Sequence, residues 1–297
     1  MNRTPLYPLR FEPIYQYRLW GGRRLADFLA APLPSGPIGE AWLLSDREGR
    51  FRRFPLLLKF LDAREMLSVQ VHPSDRNTGL LLAGETGKTE AWVVLEAETE
   101  SRIYAGLKPR IDQETLRRAV ADGTVTDCLN YFTPKVGDAV FLPAGTVHSL
   151  GGNLVVFEVQ QNSDVTFRMY DWDHLDPKTE QPRTLQVDQA LACVDFSQHA
   201  DGPVSPVLET TTPVKREKLF DCGKFRLWRL CGQSPFSVGQ AGSPHVLICI
   251  GGAGQIEDGG ANYTVEKGDA WLLPAAVGVC AFRPKSAVSL LEIAVPD

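Results

Sequence analysis

One eight-residue pattern occurs twice in this chain. Gly137-Asp-Ala-Val-Phe-Leu-Pro-Ala144 returns as Gly268-Asp-Ala-Trp-Leu-Leu-Pro-Ala275. In each copy the Gly-Asp pair suits a tight turn, because glycine reaches dihedrals that other residues avoid and aspartate can bond its own backbone. An apolar run and a proline-ended turn follow, the pattern of a buried strand and its exit. Two copies of one β unit predict two related β-barrels. With 297 residues the chain exceeds the usual size of one domain. This reading places a first domain at 1–200, a linker rich in Pro, Gly and Thr at 201–214, and a second domain at 215–297.

The remaining sequence agrees with an all-β class. The runs PLLLKFLDA, LSVQVHP, AWVVLEAE, DAVFLPA and LVVFEVQ are short, rich in Val, Leu and Phe, and separated by Gly and Pro. Two segments carry a helical pattern instead. In one, Asp112 is a candidate N-cap, Leu116, Ala119 and Val120 share a face, and Gly123 is a stop. The other spans roughly Val187 to Val194. The formal net charge of -5 provides no global basic field, so nucleic acid is not an expected partner. An anionic ligand would have to be met by a few local Lys or Arg side chains. The opening MNRTPLYPLRF has no apolar signal core, and no stretch is long enough for a membrane helix. The six cysteines, at 128, 193, 222, 231, 249 and 280, form no CxxC pair. Reduced thiols in a cytoplasmic protein are the expectation.

Chemistry concentrates in the first half. In Leu67-Ser-Val-Gln-Val-His-Pro73, strand parity turns Ser68, Gln70 and His72 to one face. Glu90 stands just before the next strand in Gly87-Lys-Thr-Glu-Ala-Trp92, with Lys88 in phase with it. His148 follows the turn Pro143-Ala-Gly-Thr-Val-His. Two imidazoles, a carboxylate and an amide oxygen make an N/O metal site with room for a further ligand. A lone histidine is more often a satisfied core or surface residue; the joint occurrence on successive strands is what favours ligands. His174, His199 and His245 fall in loop-like contexts and are read as non-ligands. Trp42 and Trp92 read as core, and Trp20 as packing or the mouth of a pocket.

The Gly-Asp turn, short strand and Pro-Ala-Gly-x-x-His pattern resembles the cupin superfamily. More specifically, the ordered segments Leu19-Trp-Gly-Gly22, Ile38-Gly-Glu-Ala-Trp42, Pro55-Leu-Leu-Leu-Lys-Phe-Leu-Asp62, Leu67–Pro73, Gly87–Trp92, Pro143–His148 and Asn162-Ser-Asp-Val-Thr-Phe-Arg168 resemble type I phosphomannose isomerase in its short bacterial form. That resemblance implies two cupin-like double-stranded β-helix (jelly-roll) barrels with a few short helices. It implies metal ligands at Gln70, His72, Glu90 and His148, one zinc ion per chain, and an active-site role for Arg168. It also implies a small-molecule partner, a sugar phosphate isomerised between aldose and ketose forms.

Proton transfer between C1 and C2 needs a polarised carbonyl and an acid–base group. Arg168, Lys88 and Glu158 are the catalytic candidates, and Ser68, Lys88 and Asp164 the substrate-binding ones. The identity of the base stays open. A non-catalytic metal-containing cupin that binds a sugar phosphate is the alternative, and the retention of Lys88, Glu158 and Arg168 beside four ligands argues against it. An iron oxygenase fits less well, since an amide ligand and nearby cations suit a redox-inert site. In the second copy Val279 stands where His148 stands in the first, and only His245 falls near the Glu90 position. The second unit is therefore expected to be metal-free.

Overall fold

The computed structural model describes residues 6–45, 54–82, 84–176, 179–197 and 202–295. Strands dominate, and the described residues include two α-helices, Gln113–Ala121 and Val187–Cys193. The chain divides into two compact units. One comprises Tyr15–Leu25 and Leu33–Val204; the other comprises the chain up to Ile14, Ala26–Pro32 and the segment from Ser205 onward. His199 and residue 201 of the expected linker lie outside the described residues.

The first unit is built on two antiparallel sheets. The six-stranded sheet runs in the order Ile14–Gly22, Ile38–Leu44, Leu56–Ala63, Leu154–Gln161, Glu90–Glu96, Ala139–Leu142. The five-stranded sheet runs Phe167–Tyr170, Val69–Val71, His148–Gly151, Arg102–Leu107, Leu129–Phe132. Trp92, Val94, Val140, Leu142 and Val156 of the first sheet pack with Ile103, Ala105 and Leu150 of the second. The other face of the smaller sheet is covered by both helices: Val69, Val71, Leu107 and Met169 pack with Leu116, Ala119 and Leu191. This cover decides the orientation of the Leu67–Pro73 segment. With Val69 and Val71 fully buried under the helices, the period of two turns Ser68, Gln70 and His72 to the opposite face.

The expected helix starts where the sequence indicates. Asp112 accepts from the Thr115 amide at 2.8 Å, and Gly123 ends the segment at φ +70°. Burial of Leu116 and Ala119 on one face explains why nine residues hold a helix.

The second unit pairs a seven-stranded sheet with a four-stranded one. The larger runs Leu9–Phe11, Ala270–Leu273, His245–Gly251, Val288–Ala294, Arg226–Gly232, Val214–Asp221, Val207–Thr210, and the smaller Phe236–Val238, Cys280–Pro284, Ala253–Asp258, Ala261–Glu266. Trp228, Leu230, Leu247, Trp271 and Leu290 meet Phe236, Ile256 and Phe282 in its core. Two features depart from the expected boundaries. Val207–Thr210, read as linker, pairs with Val214–Asp221 as an exposed edge strand; its prolines flank the strand and leave its own amides free to pair. Leu9–Phe11 pairs with the repeat strand, Leu9 opposite Leu272, with Arg10 ion-paired to Asp269 at 2.8 Å.

The sequence repeat is a structural repeat. Gly137 and Gly268 have φ of +90° and +92°. Asp138 accepts from the Lys135 amide at 2.8 Å and Asp269 from the Glu266 amide at 2.9 Å. Val94 and Cys249 bridge the two turns identically through their backbones. The registers then equate Glu90, opposite Leu142, with His245, opposite Leu273. They equate Glu158, opposite Trp92, with Glu292, opposite Leu247.

In the second unit this position is closed with a structural cluster. Glu292 Oε1 accepts from the Gly239 amide at 2.7 Å and lies 2.8 Å from His245 Nδ1, while Oε2 meets Arg216 at 2.6 Å. Arg216 lies over the Trp228 ring, which stacks on His245. Burial alone would raise the Glu292 carboxyl, but His245, Arg216 and the Gly239 amide together hold it below the usual carboxylate range. Stability from this group is therefore present above the ordinary carboxylate pKa and is lost as pH falls through its lowered value. Glu292→Ala strands His245 and part of Arg216, and should cost about 2–3 kcal/mol at neutral pH in denaturant melts. Glu292→Gln should flatten the acid limb of the stability profile; an unchanged acid limb would remove Glu292 from this account.

Candidate active site

Adjacent strands bring the expected ligands together. His148 sits directly opposite Gln70 in the smaller sheet. Glu90 opens its strand in the larger sheet, opposite Gln160 and Leu142, rather than preceding the strand. His72 Nε2 lies 3.5 Å from Glu90 Oε2, and His148 Nε2 lies 3.3 Å from Glu90 Oε1. Gln70 Nε2 is 3.3 Å from His148 Nε2, and Ser68 Oγ donates to Gln70 Oε1 at 3.1 Å. His72, Glu90 and His148 are the one group of metal-ligating side chains found to converge among the described residues.

The backbone assigns the tautomers. His72 Nδ1 lies 2.9 Å from the Val165 carbonyl and His148 Nδ1 2.8 Å from the Thr146 carbonyl. A carbonyl only accepts, so each Nδ1 carries the proton and each Nε2 is left with a lone pair facing the carboxylate. Burial keeps both rings neutral, with His148 held down to about 4 and His72 well below the usual histidine range. Burial also raises the Glu90 carboxyl against the pull of Lys88. Two nitrogen lone pairs and a carboxylate aimed at one point repel each other unless a cation lies between them. Lys88 supplies partial compensation: its Nζ is 2.6 Å from Glu90 Oε2 and 2.9 Å from His72 Nε2. Two neutral imidazoles and one carboxylate fit a borderline divalent ion such as zinc.

Beside this cluster lies a cavity of about 380 Å³, lined among others by Ser68, Gln70, Lys88, Glu158, Asp164 and Arg168. The catalytic and substrate-binding candidates thus line one cavity. Arg168 stands opposite Gln70 in the smaller sheet, and its backbone amide bonds Gln186 Oε1 at 3.1 Å. Its Nε is buried with no hydrogen-bond partner among the described residues. Burial, followed by the nearby Arg183 charge, lowers the Arg168 guanidinium below the usual arginine range. Glu158 accepts from Trp92 Nε1 at 2.9 Å and lies 3.2 Å from Lys59 Nζ. Burial works against its charge, yet Lys59 and Lys88 outweigh burial and keep it a carboxylate.

Sequence reasoning passed over Lys59 and Glu40. Lys59 is 3 % exposed, pairs with Glu158 and lies 3.9 Å from Glu40. Burial opposes its charge, but Glu158 and Glu40 overcome that and raise it above the usual lysine range. The signal was available: Lys59 is a lone cation inside the apolar run Leu56–Phe60, and such a residue is rarely buried without a task. Trp42 and Trp92 are core residues, as expected, but their indole N–H groups also hold Glu40 (2.6 Å) and Glu158 in place. Trp20 is buried and forms part of the cavity wall. His174 lies near Glu65 and Asp171, and His245 belongs to the second unit's cluster; neither joins the His72–Glu90–His148 group.

Comparison with known proteins gives this geometry a family. The family model for the catalytic domain of type I phosphomannose isomerase matches residues 43–90. The mannose-6-phosphate isomerase ManA of Bacillus subtilis is 31% identical over 309 residues, covering 91% of this chain and 94% of the relative. The mannose-6-phosphate isomerase of Streptococcus mutans is 31% identical over 304 residues, covering 91% and 93%. The crystal structure of mannose 6-phosphate isomerase from Bacillus subtilis superposes with a TM-score of 0.87 at 27% identity, covering 96% of this chain and 99% of that one. With two relatives this similar over nearly their whole length, the chain belongs to the type I mannose-6-phosphate isomerase family.

Proposed function

We propose that this protein interconverts mannose 6-phosphate and fructose 6-phosphate, using one zinc ion per chain held by Gln70, His72, Glu90 and His148. The observation that carries the reading is the convergence of two Nδ1-protonated imidazoles on a buried carboxylate beside a cavity of small-molecule size. When bound, the cation would supply Lewis acidity toward the sugar carbonyl. The remaining tasks fall to this chain's side chains. Glu158, kept ionised by Lys59 and Lys88, is the group assigned to take the proton from one carbon and return it to its neighbour, while the Lys88 ammonium would donate to a sugar oxygen. Arg168 would stabilise negative charge developing on the oxygens at C1 and C2, and Ser68 and Asp164 would hold sugar hydroxyls. Buried walls of Trp20, Leu61 and Leu67 would limit water at the reacting carbons.

This reading includes the finer architecture, two cupin-like double-stranded β-helix barrels, one within Tyr15–Val204 and the other built mainly from Ser205 onward, with metal in the first alone. Its support is the repeated turn geometry, together with His245 committed to Glu292 and Val279 exposed where the first unit has His148. Incubating the metal-replete protein with mannose 6-phosphate in deuterated water should yield fructose 6-phosphate and deuterium at C2 of the recovered aldose. A metal-replete protein that produces neither contradicts the assignment.

A further inference from the structure

Two arginines in the cavity wall have no part in the chemistry above. Arg18 lies on the Ile14–Gly22 strand, and Arg183 follows the bridge between Leu175 and Pro182. A buried carboxylate clamps one edge of each guanidinium. Arg18 donates through Nε and Nη2 to the two oxygens of Glu40, at 3.2 and 3.1 Å. Arg183 donates through Nε to Asp171 Oδ2 at 2.6 Å and through Nη2 to Oδ1. Glu40 and Asp171 are 7% and 6% exposed, so the forks are fixed from behind. Arg183 keeps Nη1 uncommitted among the described residues, and Arg18 spends Nη1 on the Tyr17 carbonyl alone.

Depth separates these residues from the two lysines of the cavity. The side chains of Lys59 and Lys88 are 4% and 5% exposed and lie against Glu158 and Glu90. Those of Arg18 and Arg183 are 31% and 19% exposed. The reacting carbons of a hexose 6-phosphate are C1 and C2, and its phosphate is at the far end of the six-carbon chain. With C1 and C2 beside the buried His72–Glu90–His148 group, the phosphate must reach the partly exposed part of the lining. A planar guanidinium held in advance suits a phosphate monoester better than a lysine, because it offers paired donors without first losing rotamer freedom. Asp164 and Asp176 also line the cavity, so the free site is not flooded with positive charge and discriminates by geometry.

We propose that Arg18 and Arg183 form the seat of the substrate's phosphate group, leaving Arg168 to the reacting end; this rests on the sugar-phosphate isomerase reading. The test compares Arg18→Gln, and Arg183→Gln combined with Asp171→Asn so that no buried carboxylate is stranded, with the wild-type holoenzyme. Steady-state kinetics with mannose 6-phosphate, competitive inhibition by inorganic phosphate, bound metal and Tm are measured on each. Charge-assisted hydrogen bonds of this kind predict a KM higher by about 10- to 100-fold per variant, with a parallel rise in the phosphate inhibition constant. The turnover number should stay within about threefold and bound metal should be unchanged. KM and phosphate inhibition within about twofold of wild type in both variants would overturn the proposal. So would a loss confined to kcat with phosphate inhibition intact. Phosphate binding is also read by calorimetry, which needs no turnover. Wild-type protein that binds phosphate through these arginines but turns over no mannose 6-phosphate would keep the anion seat and defeat the isomerase reading instead.

Discussion

His148→Ala is expected to leave a folded chain that retains no stoichiometric metal and shows no measurable isomerisation. The imidazole is held from behind by the Thr146 carbonyl and presents Nε2 to Glu90 at 3.3 Å, so truncation removes a neutral nitrogen donor that nothing nearby can replace. Gln70 is the nearest other donor, and its amide is already engaged by Ser68. A site with three or four protein ligands does not survive the loss of one imidazole at ordinary metal concentrations. The fold should survive better than the activity. His148 opens a strand whose pairing is backbone-mediated on both sides, to Gln70 and Ala105, and the ring contacts with His72 and Trp92 are the packing lost. The expected stability cost in the metal-free comparison is about 1–2 kcal/mol, small beside the catalytic loss. His72→Ala should behave in the same way. Chelated wild-type protein should lose activity and recover it on adding zinc, whereas His148→Ala should not recover. Elemental analysis gives the independent readout. Full metal occupancy in His148→Ala, or full activity in exhaustively chelated wild type, would refute the site.

The sequence carried the repeat, the strand parity and the residues of the His72–Glu90–His148 group because each is a local pattern. Leu67–Pro73 states its own facing through the alternation of Val69 and Val71 with Ser68, Gln70 and His72, and the turn at Gly137 predicts the one at Gly268. What it did not carry are facts created by pairing distant segments. Leu9–Phe11 joins the repeat strand of the second unit because that strand has an edge to fill, and no property of LRF announces it. The lone cation Lys59 stands out in its apolar run, but its partners do not: Glu40 and Glu158 arrive from two other strands, with Trp92 holding Glu158 from a third. The same holds for the second unit. The sequence shows that His245 is alone, but not that Glu292, Arg216 and Trp228 bind it into a closed cluster at the register position of Glu90 and Glu158 in the first unit. Replacing a carboxylate with a histidine at one register position and keeping a glutamate at the other converts converging lone pairs into a hydrogen-bonded pair that needs no cation.

Arg168→Ala should lower kcat by about 10²–10³ while leaving the fold and the metal in place. The structural part of this expectation is unusually direct. The Arg168 main chain is tied to Gln70 across the sheet and to Gln186 Oε1, neither of which depends on its side chain. The guanidinium itself gains little from the protein. Its Nε is buried without a partner, and burial and the Arg183 and Arg18 charges disfavour its ionised form more than Asp171 and Asp164 support it. A half-buried cation kept under such conditions gains little stability, so its removal should leave Tm unchanged or slightly higher. That cost is rational if the missing counter-charge arrives with the reaction. The isomerisation gathers negative charge on the oxygens at C1 and C2, absent in the bound aldose, and a preorganised donor beside Gln70 stabilises it only as it forms. The loss should then appear in kcat, with KM shifted by no more than a few-fold. Arg168→Lys keeps the charge but loses the planar fork, so it should recover less than about a tenth of the wild-type rate. A structural role predicts the opposite pattern, a lower Tm with near-normal turnover, and an anion seat for the phosphate predicts a raised KM with kcat preserved. Steady-state kinetics of both variants, with Tm and bound metal measured on the same preparations, separates the three, and a kcat within about threefold of wild type in both would take Arg168 out of the chemistry.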